Sequence, residues 1–476
     1  MEMPSVSDAA ALVRVGDLSA EELTRMCLEN IETENPALNA FVFVDEEHAI
    51  TSAKEVDRAI REGRADELGP LAGVPFGVKD LENCAGMPTT RGSRWFADGA
   101  SKSSDSMHVG RLREAGAIPI GKTATPEFGA WAYTASPLLG VTRNPWDPSR
   151  TPGGSSGGSS AAVSSGMVPF ATASDGGGSI RTPASFTGLV GLKCTYGRIP
   201  TFGDTHLAQN SVVGSLTTTV LDTALLLDVM AGPDDRDRTS LPAPTQSYAE
   251  AMGTIDFSKC RVAWSRDFGF AVVDPNVAEL CHDAAKDFVT SIGATFVERP
   301  IELDDYTRTY VAIEGVDKFV GVERDLWEHH LDELDPRSAP GWEFMREQTL
   351  PWAAHVEHTR RQLVHELAAI FHDVDLIVTP MSSMPPFGAE GPMPTEIDGV
   401  EVHAGMSVVL AMLANLANLP AISIPAGLVD GVPIGLQVIG PRFREDLLLA
   451  AATRYEAYRP WPRHHPTTTS HRDVPS

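Results

Sequence analysis

Apolar residues recur at two different periods along this chain, and the alternation of these periods predicts its layout. Short runs of aliphatic and β-branched residues indicate strands that are buried on both faces. The predicted strands, in chain order, are Val74 to Val78, Ala117 to Ile120, Arg261 to Ser265, Ala294 to Glu298, Asp375 to Pro380, Ala421 to Pro425 and Ile434 to Gly440. The intervals between most of these runs are long enough for helices.

Helices are predicted at both ends of the chain and between the strands. Near the start, the apolar residues at helical spacing are Leu23, Met26, Cys27 and Ile31. Ser19 precedes them with Glu22 three residues later, which is the pattern of a capping box. The first 60 residues are therefore expected to be helical. Asn276 to Ile292 is an amphipathic helix between two strands, residues 300–370 are largely helical, and Glu445 to Tyr455 is a last helix.

Strands that alternate with helices predict an α/β protein, here one large α/β/α sandwich with a mixed central sheet flanked by helices. With no internal repeat and no clean linker, a single domain is expected over residues 1–476. Its expected segments are the N-terminal helices (1–60), a core with the candidate catalytic residues (61–245), a strand–helix–strand unit with a variable helical region (246–370), and returning core strands with the last helix (371–460).

Composition narrows the choice of partner. Hydrophobic residues make up 42% and charged residues 21%, which fits a globular protein with a large core. Lysine and arginine number 38 against 64 aspartates and glutamates, so the net charge is −26. That balance disfavours nucleic acid and anionic membranes as partners. The longest apolar stretch, Val408 to Val429, is broken by Asn415, Asn418, Pro420 and Pro425, and so predicts a buried helix and strand without a membrane span.

Neither a metal site nor a disulfide framework is expected. The cysteines are scattered without CxxC spacing, which predicts reduced thiols and a cytoplasmic protein. They are Cys27, Cys84, Cys194, Cys260 and Cys281. Four histidines lie along one polar helical stretch without an HExxH arrangement, and are expected to be surface residues or histidines with hydrogen-bond partners inside the protein. They are His355, His358, His365 and His372. No secretion signal is apparent at the N-terminus, and no cofactor is expected.

Two glycine- and serine-rich runs lie inside this pattern, from Arg150 to Ser160 and from Ser174 to Arg181. Such runs in general are flexible linkers. Here the first run leads directly into small and apolar residues, 161–173, that predict a helix and then a strand. The second run follows at once. Both runs are therefore predicted to be turns that bring serines and backbone N–H groups to one place.

Two short patterns suggest other chemistry. Gly116 to Thr123 matches the phosphate-binding P-loop, but the residues between its glycines are apolar and include a proline, so they predict a strand. Gly153-x-Ser155-x-Gly157 matches the nucleophile elbow of α/β-hydrolases, which requires a histidine base. No histidine lies in a distinctive loop. Nucleotide binding and histidine-dependent hydrolysis are both disfavoured.

Lys79 closes the buried run that starts at Val74. A lone lysine is usually a solvated surface charge. A lysine at the end of a buried strand is less usual, because burial penalises its charged form.

Together these motifs resemble those of the amidase signature family of serine hydrolases. The segments that carry the resemblance are Gly73 to Asp80, Thr142 to Trp146, Gly153 to Ser159, Asp175 to Arg181, Gly188 to Lys193 and Pro433 to Gln437. The resemblance extends over roughly residues 10–455. This chain differs at Gly176, where the family more often has Thr or Ile, and at Cys194, where it usually has Pro.

The resemblance implies a Ser–cis-Ser–Lys triad. Ser179 would be the nucleophile, Ser155 would pass its proton on, and Lys79 would be the base. An oxyanion hole is implied at the N–H groups of Gly176, Gly177, Gly178 and Ser179. The residues expected to support these groups are Ser156, Asp175 and Arg181.

The implied activity is hydrolysis of the C–N bond of a small or aryl/acyl amide, with carbamates, esters and hydrazides left open. The expected partners are that substrate and water, and a homodimer is left open. Trp131 and Tyr133, with parts of 300–350 and 381–405, are candidates for the acyl pocket. An ordinary core position is an equal alternative for the two aromatic residues.

Two other functions remain to be weighed. The glutamine-hydrolysing subunit of a tRNA-dependent amidotransferase shares the amidase signature motifs. Residues 124–140 of this chain, however, replace the Ser/Thr-rich sequence associated with that subunit. A non-catalytic binding protein on the same fold is disfavoured because all three triad residues are retained. A free-standing amidase is therefore the favoured hypothesis.

Overall fold

An eleven-stranded mixed sheet forms the centre of the molecule in a computed structural model, which describes residues 2–201, 210–297, 299–322 and 324–465. The strands are β1 (Phe41–Val44), β2 (Pro75–Lys79), β3 (Ile118–Thr123), β4 (Ala135–Ser136), β5 (Gly140–Val141), β6 (Phe170–Asp175), β7 (Val190–Lys193), β8 (Val212–Thr217), β9 (Arg261–Trp264), β10 (Thr295–Val297), β11 (Leu376–Pro380), β12 (Glu396–Ile397), β13 (Val400–Glu401), β14 (Ala421–Val429) and β15 (Val432–Ile439). The order in the main sheet is β1-β3-β2-β6-β8-β7-β14-β15-β11-β9-β10.

Parallel and antiparallel pairs are combined in this sheet. Strands β3, β2 and β6 are mutually parallel, and so are β11, β9 and β10. The strands between these two groups pair in antiparallel fashion. Most central strands are buried along their whole length. Continuous apolar runs predicted this for β2, β3, β11 and β15, whereas β7 and β8 were not predicted as strands. The α/β class with a mixed sheet is confirmed.

Helices flank the sheet. They are α1 (Val6–Val15), α2 (Ala20–Leu38), α3 (Glu46–Arg61), α4 (Met107–Glu114), α5 (Gly157–Ser164), α6 (Arg181–Thr187), α7 (Val220–Met230), α8 (Tyr248–Ala251), α9 (Pro275–Ile292), α10 (Thr307–Gly321), α11 (Arg324–His329), α12 (Ala339–Arg346), α13 (Leu350–Asp373), α14 (Val409–Leu416) and α15 (Glu445–Tyr458). The predicted capping box is present at the start of α2, where Ser19 and Glu22 bond reciprocally. Throughout the described ranges, none of the helices combines the length and apolar character needed to cross a bilayer.

The first 60 residues are not entirely helical, which corrects the prediction. Strand β1 lies between α2 and α3 and pairs antiparallel with β3 at the edge of the sheet, with Phe43 opposite Lys122. Its sequence, Phe-Val-Phe-Val, consists only of aromatic and β-branched residues. Such residues favour a pleated sheet surface. The helical periodicity on both sides hid this short strand.

The predicted strand–helix–strand unit is confirmed as β9, α9 and β10, with β9 and β10 parallel neighbours. Helix α9 begins at an aspartate cap, Asp274, and ends at Gly293 in the left-handed region. Glu298, predicted as the last residue of the second strand, lies outside the described residues. The apparent P-loop at Gly116 to Thr123 contains strand β3, which begins at Ile118, as the apolar residues predicted.

The sheet brings Lys79 and the glycine-rich run that follows Ser174 to the same end of two neighbouring strands. Strands β2 and β6 are parallel neighbours, with Phe76 opposite Phe170 and Gly77 opposite Ala171. Parallel strands end on the same side of a sheet. Lys79, the last residue of β2, and Asp175, the last residue of β6, therefore lie at the carboxyl ends of neighbouring strands. Ligands usually bind at the carboxyl ends of the strands in open α/β sheets.

Candidate active site

The Lys79 amine is the centre of a buried cluster of hydroxyl groups. Its Nζ atom lies 2.9 Å from Ser155 Oγ, 2.8 Å from Ser156 Oγ and 3.0 Å from Ser174 Oγ. The side chain is fully buried. Three serines from two different segments thus surround one amine, and all three can exchange hydrogen bonds with it.

Burial lowers the pKa of Lys79 to about 7, although the negative charges of Glu82 and Asp175 partly oppose this shift. An ordinary lysine is almost wholly protonated at neutral pH. The Lys79 amine is instead neutral in a large fraction of molecules at that pH. It can accept a proton from a neighbouring hydroxyl.

Ser155 is held in a tight loop just before helix α5. The peptide bond between Gly154 and Ser155 is cis. A Cβ atom at Gly154 would lie 2.5 Å from the carbonyl oxygen of Trp131 and 2.6 Å from the backbone nitrogen of Tyr133, so the loop requires glycine here. Ser155 itself is only 3% exposed. The close packing fixes its hydroxyl against the amine.

Ser179 lies in the glycine turn, residues 176–179, between β6 and α6. Gly178 has a φ of +119°, a conformation that side chains rarely adopt. Unlike Ser155, Ser179 is only partly buried. The turn therefore presents this serine at the carboxyl edge of the sheet, next to the strand end that supplies Ser174.

An ion pair between Asp175 and Arg181 closes the glycine turn. The Arg181 guanidinium donates two hydrogen bonds of 2.9 Å to the Asp175 carboxylate, and both side chains are fully buried. Burial alone would raise the pKa of Asp175, but the charge and hydrogen bonds of Arg181 outweigh it and hold the pKa well below its usual value. The carboxylate stays ionised and bonded.

Two amide side chains complete the support of this turn. Asn415 Nδ2 donates to Asp175 Oδ1 and to the Asp175 carbonyl, at 2.9 Å each. Gln437 Oε1 accepts from Arg181 Nη1 at 2.5 Å. Neither role was predicted from the sequence. A signal existed, since each amide interrupts an otherwise apolar run, and a buried polar residue needs a partner.

The expected oxyanion donors differ in their availability. The Gly178 N–H donates to Asp175 Oδ1 at 2.7 Å, so it already has a partner within the protein. The N–H groups of Gly176, Gly177 and Ser179 are left as candidate donors. Helix α10 packs onto this turn, because a Cβ atom at Gly177 would lie 2.1 Å from the Tyr310 hydroxyl.

The two aromatic pocket candidates occupy different environments. Tyr133 is buried, its hydroxyl accepts a 2.8 Å hydrogen bond from Arg337 Nη1, and its ring centroid lies 6.1 Å from that of Phe387. Trp131 is partly buried and lies 6.1 Å from Tyr133, ring to ring. Both residues border the loop that holds Ser155, through their backbone contact with Gly154.

Of the predicted residues, the structure brings Lys79, Ser155 and Ser156 into direct contact. It brings Asp175 and Arg181 into a second contact group under the glycine turn. Ser174 joins the Lys79 cluster without having been predicted. Its signal was its position at the end of β6, one residue before Asp175.

Comparisons with known proteins show the family to which the chain belongs. The family model for Amidase matches residues 22–449. The chain is similar to an acylamidase of Rhodococcus erythropolis, with 36% identity over 465 residues that cover 96% of each protein. It is also similar to a glutamyl-tRNA(Gln) amidotransferase subunit of Chloroflexus aggregans, with 35% identity over an alignment of 482 residues and 96% coverage of each.

Among solved structures, the chain is similar to a bacterial aryl acylamidase of the amidase signature enzymes, with a TM-score of 0.89, 27% identity and 97% coverage of both chains. The fold and the relatives together define an enzyme that hydrolyses amides. The chain belongs to the amidase signature family.

Proposed function

We propose that this protein is a free-standing serine amidase that hydrolyses small acyl or aryl amides through an acyl-enzyme on Ser179. The observation that carries the proposal is the Lys79 amine, which is fully buried, bonded to serine hydroxyls and has its pKa lowered by burial to about 7. A neutral amine in contact with a serine is the base that such a reaction needs.

In the first half of the reaction, the Ser179 oxygen attacks the amide carbonyl carbon. Its proton passes to Ser155, and the Ser155 proton passes to Lys79. When the tetrahedral intermediate collapses, the C–N bond breaks and the proton returns through Ser155 to the leaving amine. An ester then joins the acyl group to Ser179.

In the second half, water attacks this ester, and the same relay takes the proton from the water. The bond between Ser179 and the acyl carbon breaks, Ser179 recovers its proton, and a carboxylic acid is released. The relay starts and ends with neutral Lys79. No further reactant is required beyond the amide and water.

The negative oxygen that forms in each half would be bound by backbone N–H groups of the glycine turn. We assign this role to Gly176, Gly177 and Ser179, since the Gly178 N–H donates to Asp175. Asp175 and Arg181 would hold the turn in shape through their buried ion pair. The loss of one such N–H donor costs about 3 kcal/mol of transition-state stabilisation in serine hydrolases.

The proposed substrate class is an amide with an apolar or aryl acyl group. The names of two relatives, an acylamidase and an aryl acylamidase, support the broader class of acyl and aryl amides. Trp131, which is partly buried and borders the Ser155 loop, is the candidate for an aromatic wall of the acyl pocket, whereas Tyr133 is buried behind it. Aromatic walls favour aromatic and aliphatic ligands.

A second candidate function is the glutamine-hydrolysing subunit of a tRNA-dependent amidotransferase. It is favoured by several relatives at 32–36% identity that are named as glutamyl-tRNA(Gln) amidotransferase subunits. The text of residues 124–140, which departs from that of the amidotransferase, favours the free-standing enzyme.

The test is product release by the purified chain alone. Glutamine, aliphatic amides, anilides and carbamates are each supplied, and the released amine or ammonia is measured. Turnover of an anilide or aliphatic amide is expected. Hydrolysis of glutamine alone, or activity only with added partner subunits, would favour the amidotransferase candidate.

The blank is Ser179→Ala, which keeps the glycine turn but removes the proposed nucleophile. It should release no amine above the rate without enzyme. Equal activity in the blank and the unchanged protein would overturn the assignment of Ser179, whatever the substrate.

A further inference from the structure

Lys79 belongs to a group of five buried ionisable side chains, and it is the only one of the five that the proposed reaction uses. The five are Lys79, Asp80, Glu82, His108 and Lys122, each at most 1% exposed. An ionisable side chain is costly to bury unless it is paired. The other four therefore need an account of their own.

Glu82 and His108 form the closest pair in this group. His108 Nε2 lies 3.0 Å from Glu82 Oε2, and both side chains are fully buried. Glu82 lies in the turn that follows β2, three residues after Lys79, and His108 belongs to helix α4. The pair thus joins the chain just after Lys79 to a helix that contributes nothing else to the proposed reaction.

Thr172 connects this pair with Lys79. Its hydroxyl accepts a 2.9 Å hydrogen bond from the Lys79 backbone N–H and is close enough to the Glu82 carboxyl to help lower its pKa. Lys122 Nζ donates to the Glu82 carbonyl at 2.5 Å and to Thr89 Oγ1 at 2.9 Å. Backbone and side chain of Glu82 are therefore both fixed, at a position where its charge acts on the Lys79 amine.

Glu82 is ionised in this setting. Burial alone would raise the pKa of its carboxyl, but His108, the Thr172 hydroxyl and the charge of Lys79 outweigh burial and hold the pKa below its usual value. The other charged groups near Lys79 have partners elsewhere. Asp175 on β6 is bonded to Arg181, and Lys122 on β3 lies 3.7 Å from Asp80.

We propose that Glu82 and His108 are positioning residues for Lys79. His108 keeps Glu82 charged and in place, and the Glu82 carboxylate sets the pH at which the amine becomes a base. The proposal rests on the proposed role of Lys79. It adds Glu82 and His108 as two residues that affect the protonation of Lys79 without contacting substrate.

The test is the pH dependence of kcat/KM in Glu82→Gln. Glutamine keeps the shape of the side chain and removes its charge. Since that charge favours protonated Lys79, its loss should move the acid limb of the profile to lower pH by about one unit. KM should stay close to that of the unchanged protein, because Glu82 does not contact substrate.

His108→Gln tests whether histidine acts through Glu82. Without His108 the buried Glu82 carboxyl becomes easier to protonate, so the limb should move in the same direction. In the double variant, His108→Gln should add nothing to the effect of Glu82→Gln. An equal shift from His108→Gln in both backgrounds would overturn the coupling.

Asp222→Asn is the matched control. Asp222 is another fully buried carboxylate, and it accepts hydrogen bonds from the backbone of α1. Asp222 is not among the charged groups that affect the pKa of Lys79. Its loss should lower stability without moving the acid limb.

If Glu82→Gln fails to fold, His108→Gln alone decides the question. An unchanged acid limb in a folded variant at either position overturns the proposal. Failure of the proposed function looks different, since Ser179→Ala would then remain active. A shifted limb together with an inactive Ser179→Ala supports both.

Discussion

At the scale of single residues, the proposed chemistry depends on one lysine whose pKa is lowered by burial. Lys79 has no exposed surface, and burial brings its pKa to about 7. Three serine hydroxyls around it replace part of the water that an exposed amine would have. They can accept hydrogen bonds from the amine or donate to it. Both protonation states are therefore satisfied in place.

The lowered pKa of Lys79 predicts how kcat/KM depends on pH. A base works only when it is unprotonated, and Lys79 binds its proton as the pH falls below its pKa of about 7. We therefore expect kcat/KM to fall tenfold per pH unit well below pH 7, and to level off above it. Initial rates between pH 5 and 9 test this. A profile that is flat down to pH 5 would contradict a lysine base of this kind.

The two serines next to Lys79 should differ in importance. Ser155 and Ser156 lie at nearly the same distance from the amine, 2.9 and 2.8 Å. Only Ser155 is assigned to proton transfer, so Ser155→Ala should lower kcat by about 10²–10⁴-fold. Ser156→Ala is the matched control and should lower it far less. Equal losses in the two variants would remove the distinction between them.

At the scale of elements, the site depends on two parallel strands and the turns that follow them. Strand β2 delivers Lys79 and β6 delivers Ser174 and the glycine turn, at one edge of the sheet. The loop before α5 brings Ser155 to the same point. Because each element contributes only one or two groups, small movements between elements should have large effects on activity.

Gly154→Ala should disturb this arrangement without any change in the reacting groups. The new Cβ atom would lie 2.5 Å from the Trp131 carbonyl oxygen, and that backbone cannot rotate away. The loop should shift, and a displacement of about 1 Å at a catalytic group costs about 10²-fold in rate. Kinetics on the folded variant measure the loss. Gly253→Ala is the control, because a Cβ atom there meets nothing within 4 Å.

The ion pair under the glycine turn should matter for stability. Asp175→Asn leaves the Arg181 guanidinium buried without a carboxylate, and breaking a buried pair in this way costs about 3–5 kcal/mol. Denaturant unfolding measures the change. Asp234→Asn, at a partly exposed surface pair with Arg236, is the control and should change stability little. A loss in Asp175→Asn no larger than in the control would contradict the supporting role.

At the scale of the whole molecule, the alternation of strand and helix patterns was enough to predict the fold class. The central strands β2, β11 and β15 are buried on both faces, so each appears in the sequence as a continuous apolar run and was predicted as a strand. Strand β1 was missed because it is short and lies between two strongly periodic helices. The division into four segments stays a prediction.

The site was less predictable than the fold. The glycine- and serine-rich motifs predict which serines react, because such a sequence is distinctive even without a structure. Contacts between distant segments left little trace. Asn415 is 240 residues from Asp175 in the chain, and His108 reaches Glu82 from a separate helix. Only the tertiary structure brings these groups together.

The central claim is that Ser179 carries the acyl group, and a trapped intermediate tests it most directly. An aryl carbamate is a suitable probe, since the carbamoyl ester it would leave on serine hydrolyses slowly. After an acid quench, intact-mass measurement followed by peptide mapping should find one carbamoyl group, on the peptide with Ser179. Ser179→Ala should show none. A label on another residue, or turnover in Ser179→Ala without any label, would contradict the account.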